Sequence, residues 1–367
     1  MKLLPYLFGI TLLTGTFIQG KGQNFREVLQ SEITESNPGI LFTLESGDES
    51  LSWSGAVGIN NAAIGDSLET AQTFRIASVT KTYVAAGILR LMENQILSLD
   101  DPISKHISPE HAQILAQDYA LDQITIRQIL RHSAGFFDHT NASEFFDIVL
   151  GTPEYEWTRT EQLRMCVEKG EPIGTPGGQF SYSDTGYVIL GELIEKYTGK
   201  SLDGGIKELL GLEDLGLDRT DFERMDSETD RLRIHQYFQG RDTYAFSPTM
   251  DYFGGGGIVS NSQELVDFFQ ALFQGKIFEQ EETLQIMLEQ VTYETKARMD
   301  YQMGTYKVKV NGLDAFCHSG FWGTQVVFIP ELDLYMAANY SGGWRGSAVA
   351  PIFGKILLEK EKSQPKL

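Results

Sequence analysis

The 367-residue chain carries 30 Lys and Arg against 50 Asp and Glu, a net charge of −20 at pH 7. Its composition is 41% hydrophobic and 22% charged, with 22 Phe, 15 Tyr and 4 Trp, which demands a packed core and excludes bulk disorder. The acidic balance argues against nucleic acid or an anionic membrane surface as a partner, and no polybasic run offsets it.

Residues 1–20 (MKLLPYLFGITLLTGTFIQG) place Lys2 before an uncharged run from Leu3 to Ile18, with Gly20 beyond it. That is the shape of a signal peptide, and the run falls short of the ~20 residues of a spanning helix. The expectation is an exported protein, periplasmic or secreted, with no membrane span after cleavage. Phe25 to Ser36 then has helical periodicity. Gly39–Leu44, Ser50–Gly58 and Gln72–Ile76 read as strands between turn residues. From Ser78 to about Tyr244 the signals are mainly helical, as in Val79–Met92, Ile126–Arg131 and Gly186–Tyr197. Strands return at Tyr306–Val310, Ala315–His318, Gln325–Ile329 and Leu334–Asn339, and Ala348–Glu361 closes the chain as a helix. Strand-rich ends flanking a helical middle predict one layer built from both termini, residues 25–77 and 245–362, with a mostly helical part, 78–244, inserted. Cys166 and Cys317 are the two cysteines, too few for a disulfide framework or a four-cysteine zinc site, and are expected as buried thiols.

Chemistry concentrates at three places. Ser78-Val79-Thr80-Lys81 follows TFRIA and opens an apolar helix, so a hydroxyl and an amine three residues apart share a face. A neighbouring amine can activate a serine nucleophile. Alone the pattern is weak, because Ser363-Gln364-Pro365-Lys366 repeats it in the tail. Tyr182-Ser183-Asp184, however, is the one tyrosine of fifteen with Asp or Asn two positions on, and it sits on a loop before a helix. His318-Ser319-Gly320 is the one His-x-Gly among six histidines, and it ends a strand. No G-x-S-x-G occurs, which removes the usual serine-histidine hydrolase signature.

With these three elements in this order, the chain resembles the serine β-lactamase and penicillin-binding superfamily, in the branch of class C β-lactamases, D-alanyl-D-alanine carboxypeptidases and related esterases. Softer matches at LSLDDPI (97–103), ITIRQILRHSAG (124–135), GYVILGELIEKYTG (186–199) and GGGGIVSNSQELVDFF (254–269) extend it over residues 25 to 360. The resemblance implies an α+β fold of the β-lactamase/transpeptidase type: an antiparallel sheet flanked by helices, with an inserted, mostly helical subdomain. It implies Ser78 as the acylated nucleophile, Lys81 assisting its deprotonation, and Tyr182 as general base or proton relay. The backbone N–H groups of Ser78 and Phe321 would form the oxyanion hole. Asp184, His318, Ser319, Gly320 and Trp322 would bind substrate. No metal and no organic cofactor are implied, and the protein is expected as a monomer.

Two departures shape the functional expectation. Asp184 stands where Asn is commoner, and a carboxylate accepts but cannot donate to a substrate carbonyl. His318 stands where class C β-lactamases have Lys, so a fixed positive charge for a substrate carboxylate is missing. No E-x-x-L-N stretch supplies a deacylating Glu, leaving the Tyr182–Lys81 pair to activate water. The expected activity is therefore D-alanyl-D-alanine carboxypeptidase-like or D-amino-acid peptidase, acting on a small-molecule, peptide or ester substrate. Carboxylesterase or weak β-lactamase activity is the alternative, and a penicillin-acylated sensor or non-catalytic binding protein is the rival from another class. His132, Asp138 and His139 match no metal-ligand spacing and are expected as packing residues. Tyr155 and Trp157 are placed near the cleft by position alone, and Glu279-Gln280-Glu281-Glu282 reads as a solvated helix start.

Overall fold

The computed structural model describes residues 22–224, 232–293, 295–343 and 349–362. The expected signal peptide lies outside the described residues. Helix α1 (22–31) leads into strands β1 (Gly39–Ser46), β2 (Ser52–Gly58) and β3 (Phe74–Arg75). The helical middle contains α2 (Thr80–Glu93), α3 (Pro109–Leu115), α4 (Ile126–Leu130), α5 (Ser143–Gly151), α6 (Arg159–Glu168), α7 (Asp184–Thr198) and α8 (Leu202–Leu210). Short strands β4 (Asp221–Phe222), β5 (Tyr237–Phe238), β6 (Arg241–Asp242) and β7 (Ile258–Ser260) follow, then α9 (Ser262–Phe273) and α10 (Glu281–Met287). Strands β8 (Asp300–Tyr301), β9 (Tyr306–Val310), β10 (Leu313–Ser319), β11 (Thr324–Ile329) and β12 (Leu334–Tyr340) precede the closing α11 (Pro351–Lys362).

A seven-stranded antiparallel sheet, ordered β2-β1-β12-β11-β10-β9-β8, joins the two ends of the chain. Ile40 faces Tyr340 and Ser46 faces Leu334 in the register that closes it. The central strands are buried on both faces, so their side chains feed two cores alternately. Leu41, Val326 and Ala337 join the core containing α2, α7 and α9. Ile40, Phe42, Val327, Met336 and Ala338 join Phe25 and Leu29 of α1 and Ile352, Phe353 and Ile356 of α11. This is the α+β arrangement of an antiparallel sheet between helices.

Local chemistry fixes the helix ends. Thr125 with Gln128 and Thr158 with Glu161 make reciprocal capping boxes on α4 and α6. Gly199 and Gly211 stop α7 and α8 in the left-handed region, at φ 66° and 63°. Helix α2 is buried almost all round, including Lys81, which places it in the interior against α7 and α8. The first helix stops at residue 31 rather than at Ser36, because Thr34 and Asn37 exchange backbone hydrogen bonds in a tight turn. The helical middle also ends in a strand that the sequence does not announce: β4 pairs with β7, and β7 with β3, in a small second sheet. Glu281 and Glu282 open α10, as expected of that acidic stretch.

Candidate active site

The turn that carries Ser78 is locked from behind. Arg75 ends β3 and is buried with Glu223, its Nε and Nη2 at 2.6 and 2.8 Å from the two carboxylate oxygens. Its Nη1 and Nη2 also donate to the carbonyls of Thr243 and Phe246. Burial works against the Glu223 carboxylate, but the Arg75 and Arg233 charges hold it below the usual range. Past Ile76 the chain makes one 3-10 turn, Ala77–Val79, with Ala77 at φ 46°. Ser78 is half-buried on that turn, at the mouth of α2.

Lys81 lies one turn on and is wholly buried. Its Nζ meets three acceptors: Ser78 Oγ at 2.9 Å, Gly255 O at 2.6 Å and Asp184 Oδ1 at 2.7 Å. Gly255 O and Asp184 Oδ1 can only accept, so Lys81 donates to both, and the Asp184 carboxylate is its ion partner. Asp184 is the first residue of α7, where the helix dipole favours an anion. The Lys81 amine also stands 5.1 Å from the centre of the Tyr182 ring. Burial and then the Asp184 charge push the Tyr182 phenol well above its ordinary range, with Ser78 acting the other way. His132 holds the Tyr182 loop on both sides: its carbonyl accepts from Ser181 N–H at 2.7 Å and its Nδ1 from Ser183 N–H at 3.2 Å. Its ring lies 4.1 Å from that of Tyr182. The residue expected as packing is a brace.

The end of β10 reaches the nucleophile turn through Gly320. A Cβ there would stand 2.0 Å from the Ile76 carbonyl oxygen, so glycine alone permits the approach. Ser78 and Phe321 thereby line one cavity of roughly 290 Å³. Its other walls are Ala77, Asp138, Thr140, Asn141, Phe145, Phe146, Tyr182, Asp184, Met250 and Asp251. Of the residues expected to bind substrate, Asp184 lines this cavity and His318, Ser319, Gly320 and Trp322 do not. His318 is buried beside Tyr301, its Nε2 3.1 Å from Tyr301 Oη and its Nδ1 3.0 Å from Ser319 O. Burial, helped by Lys81, lowers it to about 3, so it is neutral. Trp322 is buried in an aromatic cluster with Phe145 and Trp157, behind Phe321. Trp157 packs 5.0 Å from Phe145 and supports the cavity wall from outside. Both cysteines are buried and free.

The sequence of the Beta-lactamase family matches residues 38–344. The chain belongs to that family. Among curated relatives it is 30% identical over 179 residues to Esterase EstB of Burkholderia gladioli, covering 46% of this chain and 44% of EstB. It is 26% identical over 227 residues to Penicillin-binding protein 4* of Bacillus subtilis, covering 56% and 46%. The chain thus spans about half the length, or less, of the curated relatives it matches. The D-stereospecific amidohydrolase of Streptomyces sp. shares the fold at a TM-score of 0.77 and 23% identity, over 92% of this chain and 97% of that one. The D-amino acid amidase of Ochrobactrum anthropi SV3 does so at 0.77 and 18%, over 94% and 100%.

Proposed function

We propose that the protein hydrolyses short amides or peptides, of the D-amino-acid peptidase type, through an acyl-enzyme on Ser78. The observation that carries this reading is the Lys81 ammonium held against Ser78 Oγ at 2.9 Å in a cavity that Tyr182 also lines. Lys81 stabilises the alkoxide that develops on Ser78, and does not accept its proton. That proton passes to the Tyr182 oxygen as the phenol gives its own to the leaving nitrogen, so no resting phenolate is needed. Ser78 Oγ bonds to the carbonyl carbon, the C–N bond breaks, and water reverses the relay to free the acid. The backbone N–H groups of Ser78 and Phe321 are assigned to the oxyanion.

The carboxypeptidase form of this activity fits less well. A terminal carboxylate needs a cation, yet no Lys, Arg or His is among the described residues that line the cavity, and Lys81 beneath Ser78 is paired with Asp184. His318 is neutral and does not line the cavity. The two D-specific neighbours support the stereochemical preference. Ester hydrolysis uses the same groups and is favoured by the likeness to EstB. The reading includes export through residues 1–20 and a monomeric state. N-terminal sequencing of secreted protein and sedimentation analysis check these two.

The test compares D- and L-phenylalanine p-nitroanilide and p-nitrophenyl butyrate, with wild type and Ser78→Ala. Ser78-dependent turnover with a D preference is expected. Folded protein that turns over none of them, but keeps a lasting penicillin adduct by intact mass, would establish the sensor instead.

A further inference from the structure

Three carboxylates and no Lys, Arg or His stand among the described residues that line the cavity. Asp184 is paired with Lys81, and two further carboxylates, Asp138 and Asp251, share the wall. Asp138 is 94% buried, the complement of 6% exposure. One of its oxygens accepts from Thr140 N–H and Oγ1 at 3.0 and 2.8 Å, capping the turn at His139–Asn141. Its other oxygen has no partner among the described residues. Asp251 accepts no side-chain hydrogen bond among them either, although it lies over Gly256, where a Cβ would stand 2.4 Å from Oδ2. At Gly255 a Cβ would stand 3.0 Å from Asp184 Oδ2. Gly255 and Gly256 therefore make room for carboxylates, while Gly254 and Gly257 are needed for their φ of 121° and 105°.

Asp138 is buried and Asp251 partly so, and a carboxylate withdrawn from water without a cation is costly. Burial and the Asp184 charge raise Asp138, and burial raises Asp251 to about 7. The histidines nearby give no counter-charge: His132 falls well below its usual range, and His139 falls to about 4, both by burial first. Arg75 acts on Asp251 but is committed to Glu223, and exposed Arg298 acts on Tyr182 from outside the lining. Among the described residues no three His, Cys, Asp or Glu side chains converge as a metal ion would require. Beside the carboxylates stand Phe145, Phe146 and Phe321, with Phe146 and Phe321 5.6 Å apart.

We infer that Asp138 and Asp251 form a subsite for a protonated amine, so that the substrate carries an ammonium group beside an apolar, preferably aromatic, side chain. This rests on the acyl-enzyme reading above and adds to it the charge of the substrate. A free N-terminal amine fits. A substrate whose amine is acylated, or that offers a carboxylate instead, does not.

The experiment measures kcat/KM for D-phenylalanine p-nitroanilide and its N-acetyl derivative, in wild type, Asp138→Asn and Asp251→Asn. Wild type is expected to prefer the free amine by at least about tenfold, and Asp251→Asn to lose most of that ratio. Taking the ratio within each variant cancels any general loss of activity. In parallel, thermal shift compares benzylamine with benzyl alcohol on wild type, a readout that needs neither turnover nor a folded variant. Greater stabilisation by benzylamine is expected. Equal ratios for the two anilides in wild type, a ratio unchanged in both variants, or equal thermal shifts would overturn the subsite. Ser78-dependent butyrate hydrolysis without an amine preference defeats this inference alone. Absence of that hydrolysis defeats the acyl-enzyme reading, and the thermal shifts still decide the subsite.

Discussion

Ala77, at φ 46° directly before Ser78, and Gly320, pressed on the Ile76 carbonyl, together set the nucleophile's position. Gly320→Ala must displace one of them, and misplacement of about 1 Å can cost about 10²-fold. We expect turnover to fall by at least about tenfold, with a lower Tm, measured by p-nitrophenyl butyrate hydrolysis and calorimetry. Tyr182→Phe is expected to reduce anilide hydrolysis by about 10²- to 10⁴-fold. Hydrolysis of the p-nitrophenyl ester should suffer less, since p-nitrophenolate leaves without a proton. An equal loss on both substrates would mean that Tyr182 does not serve the leaving group. Asp251 has a signature in stability. Its folded value of about 7 lies above the unfolded value of about 3.9, so stability is lost as pH rises through 7. The groups acting on it are Arg75, Glu223, Asp184 and Lys81. Asp251→Asn removes this cost and should raise Tm by about 2 °C or more at pH 8, and by less at pH 5. Ser78, Lys81, Tyr182 and Asp184 were legible because their spacing is a pattern. Asp138 and Asp251 are lone carboxylates with no spacing to betray them, and Phe145 and Phe146 look like ordinary helix core. Strand order put His318 and Trp322 near the site, where His318 is buried beside Tyr301 and Trp322 beside Phe321, and neither lines the cavity.

At the scale of elements, the pair between Arg75 of β3 and Glu223 just after β4 holds the small sheet against the turn that bears Ser78. Both side chains are about 95% buried. Removing the carboxylate leaves the buried Arg75 charge without its counter-ion, so Glu223→Ala should destabilise by about 3–5 kcal/mol, read by urea unfolding. The helices, the long strands and the segment of β3 were visible in the sequence, whereas β4 and β7 were not. Two- and three-residue strands hold too few positions for alternation, and their pairing depends on a buried ion pair between residues 148 positions apart.

The whole molecule carries a charge of −20. That field draws in a cationic substrate and is screened by salt. For an ammonium-bearing anilide, kcat/KM should fall several-fold between about 10 and 300 mM NaCl, while that for neutral p-nitrophenyl butyrate should stay nearly constant. Parallel salt dependence for both substrates would count against steering. The closure of the sheet has a different consequence, one of timing. Residue β1 Ile40 cannot meet its partner Tyr340 until almost the entire polypeptide has been made. At ~5–20 residues per second, the roughly 300 residues between them take about 15–60 s of synthesis. Throughout that interval the β1–β2 hairpin has one edge open, bearing Ile40, Phe42 and Leu44, with the strand that covers it still unmade. An edge open for that long is exposed to wrong pairing, and moving β1 and β2 to the carboxyl end by circular permutation should shorten the wait.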